Sequence, residues 1–233
     1  MKIYKNLFNN IISAENLFSA WNKFKRDKQQ KTDVQKFSWR LEENIFQLQR
    51  SLRYHTYKHQ SYESFYINDP KQRHIHKASV RDRILHHAVF SILNPIFEAT
   101  FIAHSFSCRV GKGTHRGINT LESMARSVSD NYTQPCFVLK CDIKKFFASV
   151  DHNILLGLIA KLICDHDVIW LLTEIINGFP RPGTLFCNKG VPIGNLTSQL
   201  FANIYLNELD QFIKHQLRMK LHGLTAVVSS YYS

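Results

Sequence analysis

Asp142 closes the apolar run in QPCFVLKCDIKKFFASVDHN, residues 134–153. Phe137, Val138, Leu139 and Ile143 are strand formers with Pro135 just upstream, so the pattern predicts a buried strand carrying one carboxylate to its C-terminal end. A carboxylate at the edge of a core has to find a cation, a metal or hydrogen-bond donors, which makes Asp142 a structural ion-pair partner or a ligand. Phe146 and Phe147 follow in the turn, and Asp151 is placed to cap the next apolar helical pattern. A second stretch interleaves Tyr54, Tyr57, Tyr62 and Tyr66 with Arg53, Lys58, Lys71, Arg73, Lys77, Arg81 and Arg83. Cations meet phosphate and rings stack on bases, so this composition suits a nucleic-acid groove; an ordinary hairpin with half-buried tyrosines reads equally well. A third, KGVPIGNLTSQLFANIYLNELDQF, sets Gly190, Pro192 and Gly194 in a tight loop where backbone can approach a base pair closely.

The elements that position these residues follow from periodicity. The N-terminus, apolar at Ile3, Leu7, Phe8, Ile11 and Ile12 and interrupted by Asn6, Asn9 and Asn10, predicts an amphipathic helix, with Trp21 and Phe24 packing behind it. Thr32 with Gln35 predicts a capping box for one long helix through Phe37, Leu41, Ile45, Leu48 and Leu52. SYESFYI, a turn at Asn68-Asp69-Pro70 and RHIHKA predict a β-hairpin. Ser79 with Asp82 opens a helix ending near Pro95. Helices are expected at 151–163 and 168–176, then a candidate strand TLFC. The glycine loop leads into a helix whose buried face is Leu196, Leu200, Ile204, Leu209, Phe212, Ile213 and Leu217.

The 233 residues, 44% of them hydrophobic, can build a real core, and the formal charge of +12 points to a polyanionic partner. Five cysteines without a CxxC pair indicate neither a disulfide framework nor a zinc ribbon and fit a reducing, cytoplasmic setting. His74, His76, His86 and His87 crowd together, but no cysteine or carboxylate at zinc spacing joins them. No apolar run is long enough for a membrane span, and no membrane partner is expected.

Three ordered blocks between about residues 50 and 220 resemble reverse transcriptases of the group II intron-like kind. In DPKQRHIHKASVRDRILHHAVFSIL the resemblance assigns Lys71 and Arg73, and behind them Arg83, to triphosphate or template. In SFSCRVGKGTHRGI it assigns Arg109 to clamping the triphosphate. Asp142 matches the aspartate that binds both Mg²⁺ ions, helped by the backbone carbonyl of Ile143, and Phe147 matches the gate against 2′ hydroxyls. Gly194 and Gln199 match the nucleotide-pocket motif. Most members place glutamine where Ile193 stands and proline where Gln199 stands. The IGxxxSQ form looks like reverse transcriptases of diversity-generating retroelements, which copy RNA with frequent errors opposite adenine.

The resemblance implies a right-hand polymerase of α+β class, with an N-terminal helical lead-in (1–49), fingers (50–133), a partial palm (134–220) with an incomplete antiparallel sheet, and an atypical tail (221–233). Its partners would be an RNA template, a DNA or RNA primer, deoxynucleoside triphosphates and an accessory protein of the retroelement. Two Mg²⁺ ions need about three carboxylates. The family's YxDD hairpin is not found, the tail LHGLTAVVSSYYS holds no acid, and Glu208 and Asp210 read as solvent-facing charges. The tail therefore reads as the product of truncation or frameshift, and the alternatives are an inactive remnant that only binds nucleic acid and a phage-defence relative. An incomplete sheet would expose apolar surface and favour self-association.

Overall fold

In the computed structural model of the chain, residues 2–68, 72–179 and 188–217 are described. Lys71, Cys187, the candidate strand TLFC and the tail after Lys220 lie outside them. The chain divides into two compact units, Met1–Pro95 with Phe146–Phe201, and Ile96–Lys145 with Ala202–Ser233. Its class is α+β, as expected, but the sheet among the described residues is small.

The first unit begins with two helices where one was expected, α1 (Phe8–Ile11) and α2 (Ala14–Phe24). Ile12 closes the first and Ser13 caps the second, its Oγ accepting the Asn16 N–H at 3.2 Å. Leu17, Ala20, Trp21 and Phe24 give α2 a buried face. The long helix predicted through Leu52 is likewise two, α3 (Thr32–Trp39) and α4 (Leu41–Arg53). Arg40 leaves helical geometry (φ −121°, ψ 44°), and Asn44 Nδ2 donates to the Phe37 carbonyl at 3.0 Å, satisfying the acceptor that the break frees. The Thr32–Gln35 capping box does not form, because the helix starts one residue earlier than predicted and Lys31 is its N-cap, with no side-chain bond.

The hairpin is present: β1 (Glu63–Asn68) pairs antiparallel with β2 (Gln72–Lys77), Glu63 opposite Lys77 and Tyr66 opposite His74. Helix α5 (Val80–Glu98) opens on the predicted Ser79/Asp82 pair but continues past Pro95, because a proline in the last turn removes a single backbone donor. Its Ile84, Leu85, Ala88, Val89 and Leu93 are fully buried, and Asn16 binds it to the N-terminal helices by donating to the Ala88 carbonyl at 3.1 Å and accepting from Ser91 Oγ at 2.7 Å.

A further helix, α6 (Gly113–Val128), belongs to the second unit and α7 (Phe146–Ser149) returns to the first. Asp151 caps α8 (His152–Ala160) as predicted, accepting from the N–H groups of Asn153 and Ile154. Asp165 caps α9 (His166–Asn177) and also takes the Leu7 and Phe8 N–H groups at 2.7 and 3.1 Å, which fastens the N-terminus to α9. At the end of α9, Gly178 lies so close to His59 that a Cβ there would sit 2.5 Å from the His59 Cβ. The last helix, α10 (Leu196–Gln211), passes into a π-helical turn at Phe212–Gln216. Leu200 and Ile204 are buried as predicted, whereas Leu209, Phe212 and Leu217 are exposed. The widened turn takes Phe212 and Leu217 off the predicted period, whereas Leu209 lies before it on the exposed face of α10.

In the second unit, residues 135–143 form no strand, contrary to prediction, and Phe137, Val138 and Leu139 are 94%, 70% and 88% exposed. Strand-forming residues become a strand only when a neighbour takes their ladder bonds and covers a face. Among the described residues the only paired strands are β1 and β2.

Candidate nucleotide and nucleic-acid site

The glycine loop is bound to two other parts of the first unit. Gly190 N–H donates to the Val150 carbonyl at 2.7 Å and Val191 N–H to the Phe147 carbonyl at 2.8 Å. His152 strengthens the seam, its N–H donating to the Asn188 carbonyl at 2.9 Å and its Nε2 lying 2.8 Å from the Gly190 carbonyl. On the other side His76 of β2 donates its N–H to the Ile193 carbonyl at 3.3 Å. Gly190 and Gly194 have φ of +100° and +112°, so side chains are strained at both, and Gly194 is exposed at the turn before α10. Gln199 is half-buried in the first turn of α10, its N–H on the Asn195 carbonyl at 3.3 Å, while the buried Asn195 Nδ2 has no partner. Phe147, far in sequence from Gly194 and Gln199, is thus joined to them through one loop, and β2, the strand that carries Arg73, borders it.

Behind the hairpin lies an acid that the sequence marked only as a helix cap. Asp82 is buried and accepts from Tyr57 Oη at 2.8 Å, Gln60 N–H at 3.0 Å, Ser79 Oγ at 2.7 Å and Arg81 Nε at 3.2 Å. Burial works against its charge, yet His59, Ser79, Arg81 and Tyr57 together hold its pKa below the usual carboxylate value. His59 Nδ1 is 3.8 Å from Asp82, but burial lowers the His59 pKa more than Asp82 raises it, so the contact is no full ion pair near neutral pH. The hub fixes the chain on either side of the hairpin and leaves β1 exposed along its whole length. There Tyr66 stacks on His74 with centroids 4.5 Å apart, Phe65 and Ile67 are exposed, and Arg73 is half-buried opposite Ile67. Arg83 is otherwise engaged, its guanidinium 2.7 Å from Asp33 and over the Phe24 ring.

Arg109, in the second unit, is occupied. Its Nε and Nη2 donate to Glu98 at 2.9 and 2.7 Å, its Nη1 to the Ile102 and Ser105 carbonyls at 2.7 Å each, and its side chain is 5% exposed. It organises its own loop, and a hold on a triphosphate would require it to leave Glu98. Asp210, expected at the surface, is instead buried, with Oδ1 unpartnered. Burial pushes its pKa up to about 6, against the pull of Arg109. No periodicity marked it, because its neighbour Leu209 is exposed and Asp210 takes the inward place. Asp142 is exposed, as is Ile143. Among the described residues no three His, Cys, Asp or Glu side chains gather to hold a metal ion, so Asp142 and the Ile143 carbonyl do not by themselves fit a Mg²⁺ pair.

The sequence matches the family described as reverse transcriptase (RNA-dependent DNA polymerase) over residues 58–231. It is 31% identical to the group II intron-encoded protein LtrA of Lactococcus lactis subsp. cremoris over 188 residues, 77% of this chain and 29% of that protein. It is 30% identical over 137 residues to protein YkfC of Escherichia coli strain K12, 58% of this chain and 35% of that protein. The chain therefore spans about a third of the length of these relatives. Among solved structures, a chain of a partial Cas6-RT-Cas1–Cas2 complex superposes with a TM-score of 0.57 at 20% identity, covering 89% of this chain and 35% of that one. At that identity the likeness carries the fold, and it agrees with the α+β class. No helix among the described residues is long and apolar enough to cross a membrane.

Proposed function

The chain belongs to the reverse transcriptase family, and from that premise we propose that it is the template- and nucleotide-binding portion of an RNA-directed DNA polymerase, with residues 50–133 as fingers and 134–220 as part of the palm. The observation that carries this reading is the exposed hairpin bordering the glycine loop: stacked Tyr66 and His74, with Arg73 on the inner strand, beside Ile193 and Gly194. Rings and cations on a strand tied to a loop that tolerates close backbone approach suit an RNA template, a DNA or RNA primer and a deoxynucleoside triphosphate. Lys71 and Arg73 would neutralise the triphosphate, Phe147 would lie under its sugar, and Gly194 with Gln199 would shape the pocket; a role for Arg109 on the triphosphate would require it to leave Glu98. Ile193 in place of an amide side chain removes a hydrogen bond beside the base, which supports an error-prone retroelement type working in the cytoplasm with an accessory protein. Mg²⁺-dependent nucleotidyl transfer belongs to the same reading, with Asp142 as one of the carboxylates it needs; among the described residues no further ones gather around it.

The test is binding of a labelled RNA template annealed to a DNA primer, followed by anisotropy across a salt series. Affinity is expected to fall steeply with salt, and Arg73→Ala to reduce the salt slope by about one phosphate contact. Binding that ignores salt, or that Arg73→Ala and Tyr66→Ala leave unchanged, overturns the hairpin as the interface.

A further inference from the structure

The backbone of the glycine loop is largely taken up by the protein itself. Gly190 and Val191 give their N–H groups to Val150 and Phe147, the Gly190 carbonyl lies against His152, Ile193 accepts from His76 and Asn195 from Gln199. Across Gly190–Asn195 a single side chain is polar, that of Asn195. Asn195 is 3% exposed, and its Nδ2 is closed off without a hydrogen-bond partner.

Two histidines bonded to the loop, His76 and His152, also hold a buried nitrogen without a partner, Nδ1 in each. Their case is different. His152 sets Nε2 on the Gly190 carbonyl at 2.8 Å, so Nε2 carries the proton and Nδ1 is a bare acceptor. An amide nitrogen is always a donor, and burying it without an acceptor carries a desolvation penalty that nothing offsets. An apolar side chain would fill the same place without that penalty, so the amide calls for a partner that arrives from outside.

The chemistry of that partner follows from the group. The amide is neutral, which suits the edge of a base; a phosphate is better served by cations. Gly194, its neighbour, is exposed at φ +112° and admits close approach. A pocket that takes four nucleotides in turn can use only an acceptor that all of them present, and the minor-groove edge supplies it as purine N3 or pyrimidine O2. We infer that Asn195 donates through Nδ2 to the minor-groove acceptor of the base seated at Gly194. It thereby senses the geometry of the nascent base pair, in a chain whose Ile193 offers no such bond. This inference rests on the reading of the loop as a wall of the nucleotide pocket.

The test uses the full chain, an RNA template with uridine as its next base, and a labelled DNA primer ending in a dideoxynucleotide so that no extension follows. Two nucleotides are compared in Mg²⁺, dATP and 3-deaza-dATP, in which a C–H replaces N3, and the tightening of the primer–template complex by each is read by anisotropy. The wild-type chain is expected to bind dATP about three- to tenfold more tightly than 3-deaza-dATP, the worth of one hydrogen bond. Asn195→Ala, and Asn195→Asp with the same shape and no donor, should each weaken dATP and make the two nucleotides equal, with circular dichroism spectra matching wild type. A wild-type chain that is tightened equally by both nucleotides keeps the pocket and removes Asn195 from it. Variants that weaken both nucleotides while preserving their ratio make Asn195 a structural residue, which also overturns the inference. Tightening by neither nucleotide overturns it together with the pocket on which it rests.

Discussion

The hairpin at residues 63–77 and the segment at 137–144 are written in similar residues, with aromatic and β-branched side chains alternating with charge, and they end in opposite states. In the hairpin β2 pairs with β1, the strand just before it in the chain, and makes a further contact at Ile193. Residues 137–144 have no such local partner, and Phe137 and Leu139 stay almost fully exposed. Strand propensity is thus permission, and pairing decides. Arg73 sits on a paired strand and Phe147 and Gly194 on hydrogen-bonded backbone, while Asp142 lies on an exposed segment outside any strand.

The comparison breaks most severely at Asp82. Asp82→Ala strips the acceptor from Tyr57, Gln60 and Ser79 together, and a loss of about 3–5 kcal/mol in urea unfolding is expected. A change below about 1 kcal/mol would show that the hairpin does not depend on this hub.

Acid should attack the same region next. Burial, then the neighbouring His59, pushes the His86 pKa down to about 3, and burial with Lys28, Lys23 and Arg83 takes His87 down to about 4. Unfolded, both accept protons near pH 6.5, while the native chain does not. Stability is therefore full above pH 6.5 and declines as pH falls toward 4, by about 1.4 kcal/mol per pH unit for the fully buried His86. A melting temperature that stays level between pH 7 and pH 5 would contradict this.

Smaller effects sharpen the contrast. Tyr66→Ala removes the stack on His74 and should cost about 0.5–1 kcal/mol together with RNA affinity. Leu139→Ala should change unfolding by less than about 0.5 kcal/mol, because the side chain is 88% exposed. A cost above about 1.5 kcal/mol would mean that the segment is covered.

What the sequence made legible was local. The hairpin, the Ser79/Asp82 helix start and the Asp151 cap are set by residues within a few positions of one another, and each is present. What it hid depended on distant partners. The break at Arg40 is sustained by Asn44 reaching the Phe37 carbonyl, and Asp82 became a hub only when Tyr57 and Gln60 folded back on it. Asp210 turned inward because the face of α10 is not the stripe that the period drew. Motif order singled out Phe147, Gly194 and Gln199 as expected pocket residues, and the loop at Gly190–Asn195 joins the elements that carry them; residues 135–143 form no strand, and among the described residues no acidic cluster surrounds Asp142.

Primer extension on an RNA template with Mg²⁺, run beside a binding assay and comparing this chain with Asp142→Ala, tests that conclusion most directly. Salt-sensitive binding by both proteins with extension by neither is the predicted result. Extension by the wild-type chain that disappears in Asp142→Ala would show that other carboxylates complete the site, and would contradict the account of Asp142 as a residue without its partners.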